Sequence, residues 1–353
     1  MKYLVIFLAA FSLIFASCGK KGGTGTNEVS LNGAGASFPF PIYSKWFGEY
    51  QKINKEIKIN YQSIGSGGGI KQLTEGTVDF GGTDSPMKPE ELSAAESKNQ
   101  SKVIHIPTVI GAVVITYNLP GVEQDLNFTS DIIAEIYLGK IKKWNDNKIK
   151  SINSDAELPD KDIVPVHRTD GSGTTYVFTD YLSKTNEVWK TGPGVGKEVK
   201  FPVGQGAKGN EGVTGQVKNL EYSLGYVELV YALQNNLKYA NIKNENGDFV
   251  KPTLESVTKA AEVMADQMPE NLTLSITNAK GPGAYPVSSY TYIIFFENQK
   301  DEAKGKTLKN FLKWALTEGG KYALELGYSP LPKSVVEKSI EKLEIMNFNG
   351  KPL

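Results

Sequence analysis

Cysteine occurs once and histidine twice in 353 residues. With Cys18 alone no internal disulfide can form, and His105 and His167, without an HExxH pattern or a cysteine cluster, are too few for a His/Cys transition-metal site. Net charge is missing as well. Thirty-nine Lys+Arg against 39 Asp+Glu leave no positive field for a nucleic-acid backbone, which a basic stripe would hold. Beyond the N-terminus no apolar run reaches the roughly 20 residues of a spanning helix. What remains is 40% hydrophobic and 22% charged, with 36 Gly and 17 Pro, the balance of a folded, turn-rich body. At about 150 residues per domain this length suggests two lobes or one large domain.

The N-terminus reads as a processing segment. Lys2 precedes the apolar stretch 3–15, and Ala16 and Ser17 stand directly before Cys18, the layout of a secretory signal over 1–17. A cysteine after that small pair suits a bacterial lipobox, with Cys18 acylated as the first mature residue. Phe15 stands where leucine is commonest. Residues 18–27, with Gly19, Lys20, Lys21, Gly22 and Gly23, read as a polar tether and not as the setting of a buried thiol. The body is then expected outside the cytoplasm, held to a membrane through its first residue.

From residue 28 the chain alternates strand-like and helix-like patterns. Ile57, Ile59 and Tyr61 alternate with polar residues, whereas Ile42, Trp46 and Tyr50 recur on one helical face. Val103–Ile106 and Val109–Tyr117 read as two buried strands. Ile133, Ile136 and Tyr137 share a helical face, as do Val213, Val217 and Leu220, and Val336, Ile340 and Leu343. Strands alternating with helices imply α/β units with mainly parallel sheets flanked by helices.

Three segments share one design. Gly33-Ala34-Gly35-Ala36-Ser37-Phe38-Pro39, Gly65-Ser66-Gly67-Gly68-Gly69 and Asp170-Gly171-Ser172-Gly173-Thr174-Thr175 each follow a strand and open a helix, which puts Ser37, Ser66, Ser172 and Thr174 at helix entrances. An entrance offers unpaired N–H groups, hydroxyl donors and the positive end of the helix dipole. Taken singly, each reads as a cap or a turn. If the three converge, they form a site for a small tetrahedral oxyanion.

Nine ordered stretches carry a family resemblance: GAGASFPFPIYSKW, YQSIGSGGGIKQ, VDFGGTDSPM, PTVIGAVVITYNLPG, IYLGKIKKWND, RTDGSGTTYVFTDYL, GAKGNEGV, LGYVE and SPLPKSVVE. Over residues 28–353 the chain resembles the phosphate-binding proteins of bacterial Pst ABC transporters, which are two-lobed type II periplasmic binding proteins. The resemblance implies a ligand in the cleft between lobe one (28–117 and 284–353) and lobe two (118–283), and a hinge that closes on it. It implies capture of inorganic phosphate for a transporter permease, with no enzymatic activity, no cofactor, no metal and a monomeric chain. Carried over by motif, the phosphate ligands are Ser37, the Phe38 amide, Ser66, Asp84, Arg168, Ser172, Gly173 and Thr174. Ser37 stands where threonine is also found, Gly67 replaces a second serine, and His167 stands where a basic residue is common.

The chemistry of these residue types suits the roles. Arg168 presents a planar fork to oxyanion oxygens, and Asp170 can orient it and offset its charge. Asp84 repels an anion unless the anion brings a proton; phosphate near neutral pH carries one, and sulfate carries none. Other candidates are weaker. Lys300 occupies the glycine position that Gly305-Lys306-Thr307 would need for a Walker A loop, and Ile64 and Asp170 deny Ser66 and Ser172 a nucleophile elbow. His105, between Ile104 and Ile106, reads as structural. The glycine-rich 204–212 segment reads as a surface loop, with a rim or permease contact as the alternative.

Overall fold

The computed structural model describes residues 28–353; the signal segment, the tether and the acylation site at Cys18 lie outside them. Its main sheet runs, edge to edge, Ile57–Ser63, Val29–Gly35, Phe80–Thr83, Ser288–Phe296, Val103–Asn118, Ser223–Glu228, Val164–Arg168 and Gln205–Ala207. At the Ile57–Ser63 edge, where one face meets solvent, residues alternate between covered and exposed. The central Val103–Asn118 and Ser288–Phe296 strands are covered on both faces and are nearly continuous runs of buried residues.

The parallel pairing expected from strand-helix alternation is found in the flanks. Val29–Gly35 pairs parallel with both neighbours, and so does Val164–Arg168. The centre is antiparallel: Ser288–Phe296 runs against Phe80–Thr83 and Val103–Asn118, which in turn runs against Ser223–Glu228. The sheet is therefore mixed. The reason is topological, because the strands that join the two flanks are those by which the chain leaves one flank and returns to it.

Val103–Asn118 is one 16-residue strand and not two. Pro107 lacks an N–H, and the partner register slips there: Tyr292 faces Pro107 and Thr291 faces Val109, which leaves Thr108 as a bulge. Along this strand the partner changes from Ser288–Phe296 (residues 103–112) to Ser223–Glu228 (residues 113–118). A single strand thus ties the flanks together.

Helices cover both flanks as the apolar spacing indicates. Ile42, Trp46 and Tyr50 are buried on Phe40–Ile53, Ile133, Ile136 and Tyr137 on Ser130–Tyr137, and Val213 and Val217 on Gly209–Asn219. Leu220 falls just past that helix. On Lys333–Leu343 the fully buried side is Val335, Ser339 and Leu343, with Val336 and Ile340 half-buried against the core.

The Ser66–Glu75 helix sits so close to the strand ends that a Cβ at Gly69 would lie 2.5 Å from the Ala34 carbonyl oxygen and 2.6 Å from Gly35 Cα. Both contacts are backbone, which cannot swing aside. Gly69→Ala should therefore push the helix off the sheet and cost about 1–3 kcal/mol. Urea unfolding measures it, and an unchanged midpoint would mean that the helix is not pinned here.

Candidate functional site

The three glycine-rich turns come together. Gly67 N–H donates to Gly171 O at 2.8 Å, and a Cβ on Gly173 would collide with Asp84 Oδ2 and Ser66 Oγ. Only a residue without a side chain lets the Gly173–Thr185 helix end so near them.

Each entrance is built differently. Ser172 caps its helix by accepting the Thr175 N–H at 2.9 Å, which leaves its own O–H to donate. Ser66 is the first residue of its helix, after Gly65 at φ 87°, and its Oγ accepts the Asp84 N–H at 3.2 Å. Ser37 is not a cap: Pro39 holds that position, and Ser37 Oγ instead accepts from the backbone and side-chain amides of Asn210. Tyr231 and Tyr328 hold this turn by its carbonyls, each donating at 2.6 Å, to Ser37 O and Phe38 O. The Phe38 amide and the Gly173 and Thr174 amides have no acceptor among the described residues.

Two carboxyl groups and one guanidinium set the electrostatics. Arg168 is gripped by Asp170 through Nε to Oδ1 at 2.7 Å and Nη2 to Oδ2 at 2.5 Å, with the two side chains 1% and 8% exposed. Asp170 also accepts the Gly209 N–H at 3.0 Å. Burial pushes its carboxyl up, but the hydrogen bonds and charge of Arg168 outweigh burial and hold it below the usual carboxylate range. Asp84 has no such partner. Burial pushes it up to about 7, against the lowering effects of Thr291, Arg168 and Ser66. Thr291 donates to its Oδ1 at 2.8 Å and Ser66 to its Oδ2 at 3.4 Å. One cation and one firmly ionised carboxylate nearly cancel, so the second carboxyl can keep its proton. With free amide and hydroxyl donors, a positive fork and a proton-accepting carboxyl, the arrangement suits a small oxyanion that carries a proton.

The structure brings Ser37, Phe38, Ser66, Asp84, Arg168, Asp170, Ser172, Gly173 and Thr174 to one place. Sequence reasoning did not single out Asn210, Thr291, Tyr231 or Tyr328. The 204–212 segment is no plain loop: it forms the Gln205–Ala207 edge strand and starts the Gly209–Asn219 helix, with Asn210 completely buried. Its glycine-before-helix layout matches that of the other three entrances and was the available signal. Thr291 sits inside the apolar Ser288–Phe296 strand and reads as core. The histidines lie apart from the donor set. His105 Nε2 accepts the Met87 N–H at 3.2 Å, and burial lowers its pKa to about 4. His167 stacks on Phe201 at 4.5 Å between ring centroids.

A PBP superfamily domain matches residues 22–318. The phosphate-binding protein PstS of Pasteurella multocida is 43% identical over 331 residues, covering 93% of this chain and 94% of the relative. The phosphate-binding protein PstS of Methanocaldococcus jannaschii is 37% identical over 340 residues, covering 91% and 87%. Among solved structures, a phosphate-binding protein from Stenotrophomonas maltophilia superposes with a TM-score of 0.68 at 22% identity, covering 89% of this chain and 94% of that one.

The Asp84 carboxyl gives a pH test. Its pKa of about 7 in the folded chain lies above the ~3.9 of an unfolded aspartate. Its stabilising contribution is therefore full below about pH 4 and is lost as pH rises through about 7. Asp84→Asn has no charge to bury. In buffers without oxyanions it should melt with wild type at pH 4 and above it at pH 8, by on the order of a few kcal/mol. Calorimetric melting that shows no pH-dependent gap would mean that the carboxyl is solvated.

Proposed function

The chain belongs to the PstS family of phosphate-binding proteins, and on that premise we propose that it captures inorganic phosphate outside the cytoplasm and passes it to the permease of an ABC transporter. It is a binding protein, not an enzyme. In the proposed complex Ser37, Ser172 and Thr174 donate hydroxyl protons, Ser66 turns its hydroxyl proton from Asp84 Oδ2, 3.4 Å away, to the ligand, and Phe38, Gly173 and Thr174 donate backbone amides. Arg168, oriented by Asp170, supplies the positive charge. Asp84 accepts the proton that phosphate brings.

The observation that carries this reading is Asp84 itself, a 2% exposed carboxyl among groups that otherwise only donate. A hydrogen-phosphate ion satisfies both kinds of group. Sulfate leaves the carboxylate facing an oxygen with nothing between them.

The lobes in this proposal are 28–117 with 284–353, and 118–283. The end of the Val103–Asn118 strand reaches into the second lobe and serves with the return strand as the hinge. Ser37, Ser66 and Asp84 then close against Arg168 and Ser172–Thr174. We further propose that residues 1–17 direct secretion and that acylated Cys18 anchors a monomer to the membrane by the 18–27 tether. Among the described residues no helix is long and apolar enough to cross a membrane.

Competition calorimetry at pH 8 tests the ligand. Wild type should prefer phosphate over sulfate, with ionisation of Asp84 alone worth about tenfold at pH 8, and Asp84→Asn should reduce that ratio more than it reduces phosphate affinity. An unchanged ratio would mean that Asp84 does not read the proton. Sulfate can bind wild type only with Asp84 protonated, so its affinity should fall about tenfold per pH unit above pH 7 and level off below.

The anchor has a separate test. Cys18→Ser should abolish incorporation of labelled lipid in cells and leave phosphate binding by the purified full-length protein as it was. Labelling that survives the substitution would exclude the lipobox.

A further inference from the structure

We propose that Asn210 sets the direction of the Ser37 and Thr174 hydroxyl protons, making both groups obligate donors toward the cleft; this rests on the phosphate reading above. Asn210 is completely buried in the first turn of the Gly209–Asn219 helix. Its amide has only one consistent orientation. Oδ1 receives the Glu228 backbone N–H at 2.9 Å, and a backbone N–H can only donate, so the opposite side must be the NH₂ group.

That NH₂ group donates to Ser37 Oγ at 2.9 Å and to Thr174 Oγ1 at 3.0 Å. Ser37 Oγ receives a second donor, the Asn210 backbone N–H, at 3.1 Å. Thr174 Oγ1 also receives a second, Arg168 Nη1, at 3.3 Å, and a guanidinium cannot accept. A hydroxyl oxygen has two lone pairs and one proton. In both residues the lone pairs are taken by groups that only donate, so the proton is the one bonding element left over. It can satisfy itself only on an acceptor.

The consequence is a polarity code. Free serine and threonine hydroxyls are amphoteric rotors that can serve a donor or an acceptor equally. Asn210 removes that ambiguity at two positions, one in each proposed lobe, without touching the anion itself. Against them Asp84 provides the acceptor. Two fixed donors and one acceptor match hydrogen phosphate, and a ligand that presented a donor to Ser37 or Thr174 would find no lone pair there. Asn210 is in this sense a positioning residue for specificity.

The test is affinity for inorganic phosphate by calorimetry at pH 8, with thermal melting as the check on folding. Asn210→Ala frees both rotors and should weaken binding about tenfold. Asn210→Asp replaces the NH₂ by an acceptor that draws both hydroxyl protons toward itself, and it should weaken binding more than about a hundredfold. Because Asn210 acts through the two hydroxyls, the cost of Asn210→Ala should shrink to less than about twofold in a Ser37→Ala/Thr174→Val background. A cost that stays tenfold there, or an Asn210→Asp protein that binds as wild type does, overturns the proposal. Wild-type protein that fails to bind phosphate would instead overturn the reading on which it rests. Should the variants not fold, neutron diffraction of the unsubstituted phosphate complex reads the polarity directly. The deuterons of Ser37 and Thr174 should point at phosphate, and either one found on Asn210 would reject the assignment.

Discussion

The Arg168 guanidinium is held by both oxygens of Asp170, at 2.5 and 2.7 Å, with almost no access to water, and this pair determines what charge the site has to spare. A buried ion pair is only as good as its geometry and its remaining hydrogen bonds. Here the fork is bidentate, Nη1 is used by Thr174, and Asp170 takes a further backbone N–H from Gly209. The pair is therefore close to neutral and close to satisfied. A third charged group in the same place has no counter-ion, which is why burial can push Asp84 up to about 7. In the proposed phosphate complex selectivity follows from that imbalance: the guanidinium makes an anion welcome, and the uncompensated carboxyl favours one that brings a proton.

Hydrogen-bond polarity refines what the charges begin. In a site this dry every lone pair and proton must be accounted for, and the accounting leaves few choices. The backbone N–H of Glu228 fixes the Asn210 amide, which fixes two hydroxyls; Thr291 and Ser66 donate to Asp84. Tyrosine hydroxyls take up the carbonyls of the Ser37–Phe38 turn and leave the Phe38 amide over. None of these groups is unusual alone. Their directions are set by backbone groups that cannot reverse, so the unused valences all have a defined sign.

The scaffold's contribution is closeness. Gly173 lies where any side chain would strike Asp84 and Ser66, and Gly69 where any side chain would strike the Val29–Gly35 strand. These glycines are needed for approach and not for unusual backbone angles. The single Val103–Asn118 strand, bulged at Thr108 beside Pro107, carries the sheet from one flank to the other and brings turns far apart in sequence to one site.

The sequence by itself determined the local chemistry. Glycine-rich turns before helices, the Arg168-x-Asp170 spacing and the buried apolar runs are all short-range patterns, and the helix faces of Ile42/Trp46/Tyr50 and Val213/Val217 follow from period alone. Only the tertiary structure decided which groups meet. The antiparallel centre of the sheet could not be read from alternation, because pairing direction depends on where a returning strand lands. The runs 103–106 and 109–117 read as two strands, yet a single strand passes through Pro107, where a bulge in the partner register absorbs the missing N–H. Asn210 and Thr291 were illegible for the same reason. An asparagine in a glycine-rich segment and a threonine in an apolar strand acquire their roles from partners 173 and 207 residues away, Ser37 and Asp84, and a long-range hydrogen bond has no local signature in the chain that makes it.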